Sequence, residues 1–223
     1  MPLIVIEGLD GSGKATNANA LCQKLTELSK KVKKISFPDY DSDSSALVKM
    51  YLAGKFGDKP SDVNAYAASA FYAVDRFASF KSDWQKEYEN GDWIIADRYT
   101  TSNAVHQASK LEGEDRDNYL EWLYDFEFNK MGLPKPDAVI YLDVLPEVSQ
   151  KLMTGRYSGD DSKKDIHEKD VGYLEKSRSA ALYAAKKLGW NIVSLSPSGS
   201  MLSKEDAFLA VFEKIKEIYA DKL

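Results

Sequence analysis

The sequence predicts an α/β fold: a five-stranded parallel sheet with helices on both faces, and a mobile lid. Three observations carry this expectation. Short apolar runs recur along the chain, apolar stripes at helical spacing lie between them, and the stretches free of glycine and proline fall in the intervals. Strands that alternate with helices build a parallel sheet.

The five runs are Leu3 to Glu7, Lys33 to Phe37, Trp93 to Asp97, Ala138 to Asp143 and Asn191 to Leu195. Each is rich in Val, Ile or aromatics, and several are nearly continuous, as expected for strands covered on both faces. After the first run, Ala18, Leu21, Cys22, Leu25 and Leu28 form one helical stripe; near the C-terminus Phe208, Val211, Phe212, Ile215 and Ile218 form another. The stretch from Asp62 to Glu89 holds no Gly or Pro and reads as one long helix, and Asp115 to Lys130 reads as a second. Gly155 to Lys164 is polar, charged and Gly-containing, so it cannot bury much apolar surface. It is a candidate lid, about residues 155–165, or else an ordinary surface loop. No repeat divides the chain, and residues 1–223 read as a single domain.

With 30 Lys+Arg against 35 Asp+Glu, the net charge of -5 argues against nucleic-acid binding through bulk positive charge. Any phosphate must be bound at a local site. The lone cysteine, Cys22, excludes an internal disulfide framework and suits a reducing compartment, with the cytoplasm expected. No run approaches the roughly 18 apolar residues of a membrane span, so no membrane partner is expected.

Gly8-Leu9-Asp10-Gly11-Ser12-Gly13-Lys14 matches G-x-x-x-x-G-K, directly after the first strand and before a helical stripe. Glycines allow successive backbone N–H groups to turn inward around phosphate oxygens, the helix N-terminus adds its dipole, and Lys14 supplies a movable charge. Gly8, Asp10, Gly11, Ser12, Gly13, Lys14, Ala15 and Thr16 are the candidate residues for binding ATP. Ala15 departs from the pattern, standing where a Ser or Thr would meet Mg²⁺. Either Thr16 serves near the metal, or the ion is held through water and carboxylates. Asn129-Lys130-Met131-Gly132 lacks the aspartate of a guanine-reading N-K-x-D, which favours a small-molecule kinase over a GTPase.

Four pieces then carry a resemblance: E-G-L-D-G-S-G-K-A-T at Glu7 to Thr16, F-Y-A-V-D-R at Phe71 to Arg76, D-R-Y-T-T-S-N at Asp97 to Asn103, and L-P-K-P-D-A-V-I-Y-L-D at Leu133 to Asp143. In this order and spacing the chain resembles the thymidylate kinase family of P-loop nucleoside monophosphate kinases. The resemblance implies transfer of the ATP phosphoryl group to thymidine monophosphate with Mg²⁺. Asp97 and Arg98 close the third strand, at the sheet edge where ligands of open α/β folds bind. Asp97 would hold the metal through water and Arg98 would grip the acceptor phosphate, unless the pair is only a structural ion pair. Tyr72 and Arg76 are four apart on one helix face. The resemblance implies stacking on thymine by Tyr72, with Phe71 as its rival, and a contact from Arg76 to a base oxygen.

Asn103 is implied at the base edge, Asp10 at the deoxyribose 3′-hydroxyl, and Phe37, His106 and Gln107 in the substrate site. His106 stands where many relatives carry a tyrosine. The loop Leu9 to Ser12 has no basic residue, so Arg156, the one arginine of the lid segment, is the candidate for the transition-state charge. Phe37-Pro38 is followed by Asp39 and Tyr40 where many relatives have an arginine. Asp165 and Glu168 match a D-x-x-E after the lid, or simply favour a helix N-terminus. Lys14, Arg98, Arg156 and Asp97 are the expected catalytic set, with Asp97 and Thr16 at the metal. A nucleoside kinase, another monophosphate kinase, or a nucleotide-binding protein without turnover are the other readings. Val63, Tyr66, Ala67, Ala70, Phe71 and Val74 offer small and apolar residues at helical spacing, either for a wholly intramolecular stripe or also for a second face against a partner, and the resemblance implies a homodimer through helices of this region.

Overall fold

The structure, a computed structural model, describes residues 2–156 and 171–223, with side chains for 2–152 and 172–223. Five strands, β1 (Leu3–Gly8), β2 (Val32–Ser36), β3 (Trp93–Asp97), β4 (Ala138–Asp143) and β5 (Asn191–Ser194), form one sheet in the order β2-β3-β1-β4-β5. All four pairings are parallel. Their bounds lie within one residue of the sequence reading.

Alternation along the central strands sorts the core into two layers. Leu3 and Val5 of β1, Ile94 and Ala96 of β3, and Val139 and Tyr141 of β4 face one cluster. Ile4, Ile6, Trp93, Ile95, Ile140 and Leu142 face the other. Period-2 side-chain direction makes this division, and it covers both faces of β1, β3 and β4. The edges differ from the sequence expectation: Ile35 alone of β2 and Val193 alone of β5 is buried. An edge strand lacks a neighbour on one side, and charged residues such as Lys34 can stay in water there.

Helix α1 (Lys14–Glu27) packs Ala18, Leu21 and Leu25 on the second cluster, beside Ala207, Val211, Phe212 and Ile215 of α9 (Lys204–Ile218). On the other face lie α5 (Thr100–His106), α6 (Gly113–Tyr124) and α8 (Val171–Leu188), which contribute Ala104, Leu120, Leu123, Ala181 and Ala184. After β2 runs the short α2 (Ala46–Leu52). The long helix begins at Ala65 rather than Asp62, because the Asn64 side chain accepts from the Ala67 N–H at 2.8 Å and caps it. Its helical path runs α3 (Ala65–Ser79), a π-helical turn at Phe80–Trp84, then α4 (Gln85–Glu89). After α6 a second π-helical stretch spans Asp125–Lys130. Helix α7 (Pro146–Arg156) follows β4. No helix among the described residues is long and apolar enough to cross a membrane.

Candidate active site

Helix α1 leaves β1 toward one face of the sheet and α5 leaves β3 toward the other. The crevice between these two neighbouring strands is the switch point at which open α/β sheets hold ligands. A cavity of about 1340 Å³ lies there, lined at one end by Gly13, Lys14, Ala15 and Thr16 and at the other by Tyr72, Arg76 and Asn103.

The loop from Gly8 to Lys14 has the geometry its glycines allow. Gly13 caps α1 at φ 85°, a left-handed conformation that side chains disfavour. Gly8 sits so close to its neighbours that a Cβ there would lie 2.5 Å from Ser12 Oγ and 2.9 Å from the Leu142 carbonyl oxygen. Gly8 and Ser12 therefore form the inner side of the turn, while Asp10, Gly11 and Gly13 to Thr16 face the cavity. Lys14 Nζ donates to the Leu9 carbonyl at 2.8 Å and stands 3.8 Å from Asp10 Oδ1. Burial, followed by the nearby Arg98 charge, lowers the Lys14 pKa to about 8.

Arg98 follows β3 at φ 68°, left-handed for a residue with a side chain. Its Nη2 donates to Asp10 Oδ1, and its Nη1 donates to Ser102 Oγ at 3.3 Å and His106 Nε2 at 3.2 Å. Because arginine only donates, His106 Nε2 must accept here, which puts the ring proton on Nδ1. Nη1 also stands 3.6 Å from Glu7 Oε1. Burial works against the Arg98 charge, but Asp10, Glu7 and Asp97 outweigh it and hold its pKa above the ordinary value. Sequence reasoning assigned no role to Glu7. It is fully buried at the end of β1, where its Oε1 accepts from the Gly8 N–H at 2.9 Å and its Oε2 from Thr101 and Ser102, each at 2.7 Å. A carboxylate closing an otherwise apolar buried strand was the signal available.

Asp97 lines the cavity beside these cations, and its carboxylate accepts no hydrogen bond from the described residues. Thr16 is exposed on the first turn of α1 and lines the same space. No group of three or more His, Cys, Asp or Glu side chains among the described residues is placed to enclose a metal. A lone carboxylate facing a phosphate cradle fits Mg²⁺, which keeps waters and leans on phosphate oxygens.

At the far end, Tyr72 faces the cavity, whereas its rival Phe71 packs against Phe56 and Tyr51 with ring centroids 5.5 and 6.4 Å away. Arg76 is 1% exposed, and its guanidinium grips Glu127 through Nε at 2.7 Å and Nη2 at 2.5 Å. Asn103, His106, Gln107 and Phe37 complete this end. Asp75, next to Arg76, accepts from the Asp39 N–H at 2.9 Å and from Ser44 Oγ at 2.6 Å, clipping the loop after β2 to α3. That loop has no arginine, but Lys49 of α2 reaches over it, donating to the carbonyls of Tyr40 at 3.2 Å and Ser42 at 3.4 Å, and lines the cavity. Asp165, Glu168, most of the lid and the Arg156 side chain lie outside the described residues.

The sequence model of the thymidylate kinase family matches residues 6–205. The chain belongs to the thymidylate kinase family. A thymidylate kinase of Mycobacterium tuberculosis is 33% identical over 184 residues, covering 82% of this chain and 84% of that protein. A thymidylate kinase of Caenorhabditis elegans is 32% identical over 156 residues, covering 66% and 65%. Among solved structures, the thymidylate kinase of Candida albicans superimposes with a TM-score of 0.68 at 23% identity, over 97% of this chain and 91% of that one. That likeness shows the fold, an α/β sheet of the P-loop kinase type. As a member of this family the chain is a phosphotransferase acting on nucleotides.

Proposed function

We propose that the protein transfers the terminal phosphoryl group of ATP to thymidine monophosphate, giving ADP and thymidine diphosphate, with Mg²⁺. One observation carries this reading: a single cavity joins the phosphate cradle at Lys14 to a polar edge at Arg76 and Asn103, with Arg98 lining it as well. An acceptor that already bears phosphate needs a cation at one end and base-reading groups at the other.

ATP would enter with its phosphates on the N–H groups of Gly11 to Thr16. Lys14 would then exchange its bond to the Leu9 carbonyl for the outer phosphates. Arg98, oriented by Asp10, Glu7, Ser102 and His106, would hold the acceptor phosphate in line, and Lys49 would add a second cation where the arginine after Phe37-Pro38 is missing. Tyr72 would stack on the base, Arg76 would donate to the 4-carbonyl, and Asn103 would meet N3–H. Asp10 would accept from the 3′-hydroxyl. Asp97, with Thr16 nearby, would hold Mg²⁺, which when bound neutralises charge on the phosphate oxygens. The acceptor oxygen is already ionised, so alignment and charge neutralisation suffice without a general base. Arg156 is assigned to the transition-state charge, brought in by closure of a lid at about residues 155–165. The whole chain would act as one domain, in the cytoplasm, as a homodimer.

An ADP-release assay across the nucleoside monophosphates, with thymidine included, tests the reading. Thymidine monophosphate is expected to give the highest kcat/KM. Faster turnover of thymidine itself would make the protein a nucleoside kinase, and nucleotide binding without ADP release would overturn catalysis.

A further inference from the structure

Behind the base-reading edge of the cavity lies a carboxylate sealed from solvent. Glu127 is 0% exposed and falls within the π-helical stretch that follows α6. Its Oε2 accepts from Arg76 Nε at 2.7 Å and Thr100 Oγ1 at 2.6 Å; its Oε1 accepts from Arg76 Nη2 at 2.5 Å and Asn103 Nδ2 at 3.4 Å. These donors fill the lone-pair sites of a carboxylate.

The second neighbour of Asn103 Nδ2 is the Ser69 carbonyl, also at 3.4 Å. Both neighbours are acceptors, which settles the orientation of the amide. Turned end for end, it would set its oxygen against a carboxylate and a carbonyl. Oδ1 is thus the end left for a ligand, and it accepts no hydrogen bond from any described residue. Arg76 is limited in the same way: Nε and Nη2 are held by Glu127 and Nη1 donates to the Tyr99 carbonyl at 3.4 Å, so only its remaining N–H groups can address the cavity.

We propose that Glu127 is a positioning residue for base selection: one carboxylate holds both Arg76 and the Asn103 amide, so that a donor and an acceptor stand side by side at the base edge. The proposal rests on the reading that Arg76 and Asn103 meet the base. Thymine and uracil present the complement, a 4-carbonyl beside N3–H. Cytosine presents an amino group and a bare ring nitrogen, opposed at both places. Glu127 touches no substrate and acts through its two partners. Glutamine has nearly the same shape but sets a donor against one of these donors whichever way it turns, which disturbs the hold on Arg76 in both orientations and releases the Asn103 amide in one of them.

The test is steady-state kinetics of the purified protein with thymidine, deoxyuridine and deoxycytidine monophosphates. Two unmet hydrogen bonds set the expected wild-type preference for thymine over cytosine at roughly 100-fold or more. In Glu127→Gln the preference is expected to shrink by about 10-fold or more, with KM for ATP unchanged. A common fall for all three acceptors, with the preference intact, would mean a merely structural carboxylate and would overturn the proposal. Asn103→Ala separates the two layers of inference. Collapse of the preference in Asn103→Ala but not in Glu127→Gln overturns the role of Glu127 and leaves the base reading standing. An unchanged preference in Asn103→Ala overturns the base reading and this proposal with it. Should Glu127→Gln fail to fold, Glu127→Asp keeps the charge but shortens its reach to Arg76 and the Asn103 amide; a preference that shrinks by about 10-fold or more supports the proposal, and one that stays intact overturns it.

Discussion

Lys14 brings a pH dependence directly into the phosphate cradle. Burial, followed by the nearby Arg98 charge, brings its pKa from 10.5 to about 8 in the folded protein. Between those values the unfolded chain binds the extra proton, so the contribution of Lys14 to stability rises with pH across this window. ATP capture moves the other way, because only the ammonium attracts phosphate. KM for ATP is expected to climb as pH rises through about 8. At saturating ATP kcat should hold to higher pH, since bound phosphates restore the charge. A KM for ATP that stays flat from pH 7 to 9 would remove Lys14 from the cradle. For Arg98 the prediction concerns shape rather than charge. Arg98→Lys keeps the cation and loses the fork, so kcat/KM for the acceptor should fall by about 10³-fold while the fold survives, judged by circular dichroism. Its left-handed backbone, strained by roughly 1–3 kcal/mol, is tolerated because Asp10, Glu7, Ser102 and His106 all hold the side chain.

The residues that meet ligand were readable from sequence in a way that their supports were not. Lys14, Arg98 and Asn103 sit in motifs whose spacing has a mechanical meaning. Glu127 sits in Asp125-Phe-Glu-Phe-Asn-Lys130, where its neighbour Asp125 is exposed and nothing in composition marks the buried carboxylate. It stands four residues after Leu123 and seven after Leu120, both buried, so the carboxylate occupies a position on the apolar face of the helical run.

At the scale of elements, α3 separates two functions by helix face. Tyr72 and Arg76 point into the cavity, and Phe71 points away to Phe56 and Tyr51. Tyr72→Ala is therefore expected to raise KM for thymidine monophosphate by about 10-fold or more. Phe71→Ala should leave that KM nearly unchanged and lower the melting temperature, a contrast that one kinetic and one thermal measurement check. The strands were legible to within a residue because three of them are apolar on both faces, a pattern that turn residues cannot imitate. The start of α3 was less so: Asp62 is acidic and suits a helix start, but Asn64 supplies the actual cap. The π-helical stretches in the two long helices were not legible, since both helices were inferred from runs free of Gly and Pro, which an extra residue in one turn leaves intact.

At the scale of the whole molecule, the outer side of α3 shows what a second copy could cover. Tyr66 is partly spent inside the chain on Tyr119 and Trp122, yet it is 40% exposed, and Val74 and Phe77 are 49% and 39% exposed. Light scattering at micromolar concentration is expected to give twice the chain mass, and Val74→Lys to give the single mass with the fold intact. A single mass for the unaltered protein would sink the dimer.

The sheet order also bears on how the protein comes into being during synthesis. Leu3 pairs with Ile94 and Ile4 with Ala138, so the first strand made waits for partners that leave the ribosome much later. Contacts this distant in sequence make folding slow. The cradle that closes around ATP hangs from that waiting strand, and the carboxylate that orients Arg76 is made just before β4. Neither end of the cavity can take shape as a folding outpost ahead of the rest, and a nascent chain has no nucleotide site until its sheet is nearly whole.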